Sequence, residues 1–228
     1  QIHSSSGIQT NHCRHKHSIP SKPALFTEEW WDLFGWFMEE AKKRNMTVSL
    51  SDYTLGVGQG SYVDDALNEN PGLTGAELKF ESDTIQDKYA KTCHNQLLSL
   101  YAYQLGTDGK IIENSGIDLS GNLKGNKIEW QSPAEGNWIV TQVYSVAKKP
   151  SLDPMHPLSG KSYVKHFFQR FEDRFPEQSK GGLNFFFSDE LNFNLHGYIW
   201  NSIFRNEFRK RKGYDIVPYL TALFTHIG

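Results

Sequence analysis

The chain is predicted to be an α/β protein: a partial (β/α)8 TIM-type barrel with an inserted antiparallel β module. Three observations carry that expectation. Near the start, a helix with an apolar stripe runs directly into a β run. Later, the short apolar segment 183–188 ends on two adjacent carboxylates, Asp189 and Glu190. Between residues 73 and 149, apolar and polar residues alternate and turn signals recur, as in antiparallel sheet.

Residues 1–24 are polar and rich in Ser, His and Pro, and read as a loose lead-in. Thr27 then caps a helix whose first turn, Glu28-Glu29, places acids where the helix dipole favours them. Trp30, Leu33, Phe34, Phe37, Met38 and Ala41 recur at helical spacing and mark its buried stripe, and Lys42-Lys43-Arg44 suits its C-terminus. Asn45 turns the chain into the β run 46–51, which ends on Asp52 and Tyr53. The glycine-rich stretch 56–61 lacks both the Lys-Ser/Thr of a phosphate loop and full dinucleotide spacing, so it reads as a flexible or tightly turned loop beside a cleft.

Alternating stretches follow at 97–105, 110–117, 127–130 and 138–146. Asp108-Gly109 gives a strong hairpin signal, and Gly121, Gly125 and Gly136 mark further turns. Residues 150–157 carry three prolines and read as a rigid connector. A helix is expected over 161–175, with Tyr163, Val164, Phe167, Phe168 and Phe171 on its packed side. After the carboxylate-tipped strand, a helix over 197–211 is stopped by Gly213, and the apolar tail 216–227 forms another short helix. The expected organisation is 1–72 as the first part of the barrel, 73–149 as the β module and 150–228 as the continuation of the barrel. A complete eight-fold barrel needs about 250 residues, and the module takes roughly 75 of these 228. Either the sheet is small and open or the chain is part of a larger protein, and the second is the stronger expectation.

Composition bounds the function. With 22% charged residues and a net charge of -2, nothing argues for nucleic acid or an anionic membrane as partner. No run approaches the ~18 apolar residues of a membrane span. The start lacks the basic and apolar parts of a signal peptide and also an initiator Met, so it does not fix a compartment. Cys13 and Cys93 are either one bridge or two unrelated thiols. Aromatic residues make up 14% of the chain, which fits both core packing and an aromatic-lined sugar cleft. Phe193, Tyr198 and Trp200 gather just beyond the carboxylates. For Trp200, packing is the stronger reading.

The run His12-Cys13-Arg14-His15-Lys16-His17 has metal-ligating residues, but its basic, polar setting is a poor zinc scaffold and a loop is the better reading. No Gly-x-Ser-x-Gly elbow supports a serine nucleophile.

Several segments together resemble the catalytic domain of large bacterial glycoside hydrolases of the α-L-rhamnosidase type. They are Phe26-Thr27-Glu28-Glu29-Trp30-Trp31 with its helix and the strand into Ser51-Asp52-Tyr53; Leu100-Tyr101-Ala102-Tyr103; Trp130-Gln131-Ser132-Pro133; Gly136-Asn137-Trp138; Leu152-Asp153; Phe186-Phe187-Ser188-Asp189-Glu190; Gly213-Tyr214-Asp215; and Leu220-Thr221-Ala222-Leu223-Phe224. The resemblance covers most of the chain from residue 26. It implies hydrolysis of a terminal sugar by a (β/α)8-type domain within a longer, secreted or periplasmic, polysaccharide-degrading enzyme. The chain departs from that pattern where Leu55-Gly56-Val57-Gly58-Gln59-Gly60 replaces the family's usual Pro-Ser-Gly stretch, and again at the connector Asp153-Pro154-Met155-His156-Pro157.

Glycoside hydrolysis needs two carboxyls across the scissile bond, about 5–5.5 Å apart for retention and about 6.5–9.5 Å for inversion. Glu190 is the candidate acid and Asp189 its charged neighbour, one facing the cleft and the other structural. Asp52 is a sugar-hydroxyl ligand, the second carboxyl or a loop cap, and Tyr53 lines the pocket or packs. His156, Asn192, Asn194 and His196 are candidates to hydrogen-bond sugar hydroxyls, with turn support the alternative for His156. No cofactor is required. Calcium is compatible with such a cleft, though no calcium-loop motif is present. The expected partner is an oligosaccharide or polysaccharide. The rival reading is a non-catalytic carbohydrate-binding or assembly protein on a degenerate barrel.

Overall fold

The computed structural model describes residues 22–51, 61–176, 183–187 and 193–226. The fold is mixed α/β, and its strands form open sheets. The chain divides into two compact units. The first takes residues up to Gly75 together with Lys148–Leu195, and the second takes Ala76–Ala147 together with the segment from His196 onward.

The first unit begins with α1 (Glu28–Lys43). Thr27 accepts the Trp30 N–H at its N-cap, and Lys42 and Lys43 sit in its last turn. Its buried face is Trp30, Trp31, Phe34, Met38 and Ala41. Trp31 takes the place expected for Leu33, which is 39% exposed. The stripe runs through 30, 31, 34, 38 and 41, so it keeps four of the expected positions and widens toward Trp31. The helix leads to β1 (Val48–Ser51), then α2 (Ser61–Glu69) and a 3-10 turn, Pro71–Leu73. A second helical run comprises α3 (Ser159–Tyr163), a π turn (Val164–Phe168) and α4 (Gln169–Arg174). Phe167 and Phe171 are buried there, whereas Val164 is exposed. The wider π turn adds a residue to that revolution and carries Val164 out of the apolar stripe. The last element, β9 (Leu183–Phe187), pairs in parallel with β1.

Aromatic rings fill the core between α1 and the second helical run. Trp30 stacks on Phe34 at 5.1 Å, and Phe171 meets Trp30, Trp31 and Phe34 edge-on. Edge-to-face and offset pairs of this kind each contribute beyond their buried area.

The second unit is built on a four-stranded sheet in the order β2-β8-β4-β5: β2 (Thr74–Ile85), β8 (Trp138–Leu152), β4 (Leu97–Gln104) and β5 (Ile117–Asp118). A three-stranded antiparallel sheet contains β3 (Lys88–Thr92), β7 (Lys127–Gln131) and β6 (Leu123–Lys124). β4 and β8 pair antiparallel, with Ala102 opposite Val140 and Leu100 opposite Gln142. Strand alternation then sorts the side chains. Leu100, Ala102, Trp138 and Val140 pack with Tyr89 and Ile128 of the smaller sheet. From the opposite face, Val143 joins Leu78, Trp200 and Leu220.

Four expectations shift in detail. Residues 110–117 form only a bridge at Ile111 and the start of β5, because Asn114 is left-handed (φ 60°) and the Ser115 hydroxyl donates to the Ile112 carbonyl. Pro150 to Leu152 extend β8 and are not part of a connector. The helix after the carboxylates, α5 (Ser202–Lys212), begins five residues late, because the backbone at Tyr198 and Trp200 is engaged with β2. Asn201 caps it, and Gly213 at φ 79° ends it by donating to the Arg209 carbonyl. The tail holds a 3-10 helix, Val217–Leu223. Cys93 is buried and free, while Cys13 lies outside the described residues.

Candidate functional site

The predicted carboxylates follow β1 and β9 in sequence. These strands pair in parallel, with Leu50 opposite Phe186 and Ser51 opposite Phe187, beyond a register shift between Val48 and Ser49. Asp52 follows Ser51 directly, and Glu190 follows Phe187 by three residues. Asp52, Tyr53, Asp189, Glu190 and Asn192 themselves lie outside the described residues, as does the run His12–His17.

His156 falls in the turn that starts the second helical run. Its Nδ1 accepts the Leu158 N–H at 3.2 Å, and its carbonyl accepts the Ser159 N–H at 3.0 Å. This places the proton of a neutral ring on Nε2. Asp153 is buried beside it and accepts the Met155 N–H at 2.9 Å, so this carboxylate organises the turn. The Asn194 amide donates to the Pro150 carbonyl at 3.1 Å, and the Ser151 hydroxyl donates to that of Phe193 at 2.7 Å. Both contacts fix backbone.

His196 belongs to the second unit, where it meets a residue that the sequence reading missed. Glu77 on β2 is only 2% exposed. Its Oε1 accepts the His196 N–H at 2.7 Å, and its Oε2 accepts from Lys79 Nζ at 2.9 Å. Burial alone would raise this carboxyl. The His196 N–H, the Lys79 ammonium and the Gly197 N–H outweigh it and hold Glu77 at about 2. In an alternating strand a Glu reads as solvent-facing. Here it is covered by a segment more than a hundred residues away, and no local pattern reports that.

An open depression of about 590 Å³ lies beside this clamp, lined by Leu78, Lys79, Phe80, His196, Gly197, Tyr198 and Phe224. Phe80 and Phe224 stack at 5.2 Å, and Tyr198 stands edge-on to Phe224 with 49% exposure. Trp200, by contrast, is core, packed edge-on to Phe204.

A second charged group sits further along β2. Lys91 Nζ bridges Glu81 at 3.1 Å and Asp83 at 3.0 Å, while His94 Nε2 lies 2.9 Å from Glu81 and stacks on Tyr144. The His94 and Lys91 contacts, with help from the Tyr144 hydroxyl, hold Glu81 at about 2. A general acid needs a raised pKa. Glu81 is therefore held in its charged form and is unsuited to donating a proton. Among the described residues no group of three or more His, Cys, Asp or Glu is placed to hold a metal ion, and no helix is long and apolar enough to cross a membrane. No family model, curated protein or solved structure matches the chain.

Proposed function

We propose that the chain is the acid-bearing portion of a glycoside hydrolase that acts on terminal sugars, α-L-rhamnosides being the first class to test. The observation that carries this reading is the parallel pair, with Ser51 opposite Phe187. Asp52 and the Asp189-Glu190 pair continue from neighbouring strand ends on the side where α/β enzymes carry their chemistry.

In this reading β1 and β9 are two strands of a (β/α) barrel, completed by further sequence of a larger secreted or periplasmic protein. Glu190 protonates the leaving oxygen. Asp189 keeps a negative charge beside it, which disfavours ionisation of Glu190. Asp52 binds a sugar hydroxyl or serves as the second carboxyl, and Tyr53 and Asn192 line the same mouth. Calcium is a possible addition to such an oxygen-rich cleft.

The test is turnover of p-nitrophenyl α-L-rhamnoside and a panel of other aryl glycosides by the full protein and its Glu190→Gln variant. Loss of general acid catalysis lowers kcat by roughly 10²–10⁴-fold, with sugar binding by calorimetry largely kept. Unchanged turnover in the variant sinks the acid assignment.

A further inference from the structure

We infer that the depression on the second unit is a separate, non-catalytic glycan-binding site. It takes a pyranose unit against the exposed Tyr198 ring, which Phe224 supports, with Lys79 and His196 as polar rim.

The wall is rigid for reasons visible in the contacts. The Tyr198 hydroxyl donates to the Leu223 carbonyl at 3.0 Å, which fixes its ring, and Phe224 is held between the Tyr198 edge and the stacked Phe80 face. Aromatic side chains with a polar tip present apolar area at low entropic cost. The rim is also fixed from below. Buried Glu77 holds the Lys79 ammonium and, through backbone N–H groups, the His196–Gly197 segment. Support of this kind preorganises a site. It leaves the exposed His196 imidazole without a hydrogen bond among the described residues, and leaves Lys79 two of its three donors.

A pyranose suits this arrangement because its C–H face can cover an aromatic ring while its hydroxyls meet donors at the edge. A purely apolar ligand would partly desolvate the Lys79 ammonium, 45% exposed, and leave the donors not used by Glu77 unmet. The choice of a sugar rests on the glycosidase reading. The existence of the platform does not.

Saturation-transfer NMR on the full chain tests this, using methyl glycosides of rhamnose, fucose, glucose, galactose, mannose, xylose and arabinose as probes. At least one should receive saturation on its ring C–H protons. Tyr198→Ala should reduce that transfer at least five-fold, and His196→Ala should weaken binding three- to ten-fold. Tyr198→Phe should keep most of the transfer and so separates loss of the platform from loss of the fold.

No transfer from any probe, or full transfer to Tyr198→Ala, overturns the site. If no aryl glycoside is hydrolysed but transfer persists and depends on Tyr198, the catalytic reading fails and this site stands.

Discussion

The two units of this chain are stabilised by different physics. In the first, rings meet rings: Trp30, Trp31, Phe34, Phe167 and Phe171 are buried together, its ion pairs, such as Lys165 with Glu69 and Arg170 with Asp65, stay at the surface, and its buried polar residues, Ser151, Asp153 and Ser159, are confined to one short stretch of chain. In the second, polar groups penetrate. Glu77, Gln142 and Thr141 are buried within it, with Gln142 donating to the Tyr89 hydroxyl at 3.0 Å and Thr141 bonded to Thr221 at 3.2 Å. An aromatic core tolerates acid and salt but is sensitive to lost volume. A polar clamp behaves the opposite way, because its value depends on charge state and on complete hydrogen bonding.

Phe171→Ala gives the largest expected effect. The ring is buried and touches Trp30, Trp31, Phe34 and Phe167, so its removal should cost about 3–5 kcal/mol. Hydrogen exchange resolved by peptide should show the loss across α1 and the second helical run, with the strands β4 and β8 of the second unit keeping their protection. Equal loss in both units would erase the contrast drawn above.

Acid should act on the other unit. Glu77 sits at about 2 against an ordinary 4.5, so it supports the folded state above about pH 5 and loses that support as pH falls toward 2. The displacement corresponds to about 3 kcal/mol. Glu77→Gln should cost a comparable amount at pH 7, because an amide cannot accept from Lys79 and two backbone N–H groups as a carboxylate does. It should also flatten the fall in stability between pH 5 and 2. A residual slope should remain from Glu81, which is held low by His94 and Lys91. A variant with the wild-type acid slope would show that the clamp is not the source of it.

The same contrast separates what the sequence made legible from what it hid. The ends of α1, the turn at Asp108-Gly109 and the stop at Gly213 are local signals, set by a cap or a left-handed backbone, and they can be read from a few neighbouring residues. The burial of Glu77 and the late start of α5 depend on one event, the pairing of residues 198 and 200 with β2. That contact closes a loop of about 120 residues, and neither partner announces it. The π turn is hidden differently. Val164 fits the apolar pattern on a regular helix and leaves it only because the revolution is widened. For the candidate site, the strand runs ending at Ser51 and Phe187 were legible as single elements, whereas their parallel register was not. The depression was legible only through Tyr198 and His196, since Phe80, Lys79 and Phe224 come from distant positions.

The smallest expected effects come from the helix caps, which should not distinguish the units. Thr27 accepts the Trp30 N–H at 3.3 Å at the start of α1, and Asn201 accepts the Phe204 N–H at the start of α5. Each satisfies one orphan donor of a helix N-terminus, a local bond indifferent to whether the core beyond is aromatic or polar. Thr27→Ala and Asn201→Ala should therefore each cost about 1 kcal/mol, with Thr27 at the lower end because its bond is long. Chemical denaturation at pH 7 and again at pH 3 checks this. The Thr27→Ala cost should be the same at both values, since the bond carries no titrating group. A cost that changed with pH would mean that α1 depends on charged contacts. The division into an aromatic unit less sensitive to acid and a polar unit more sensitive to it would then fail at its simplest point.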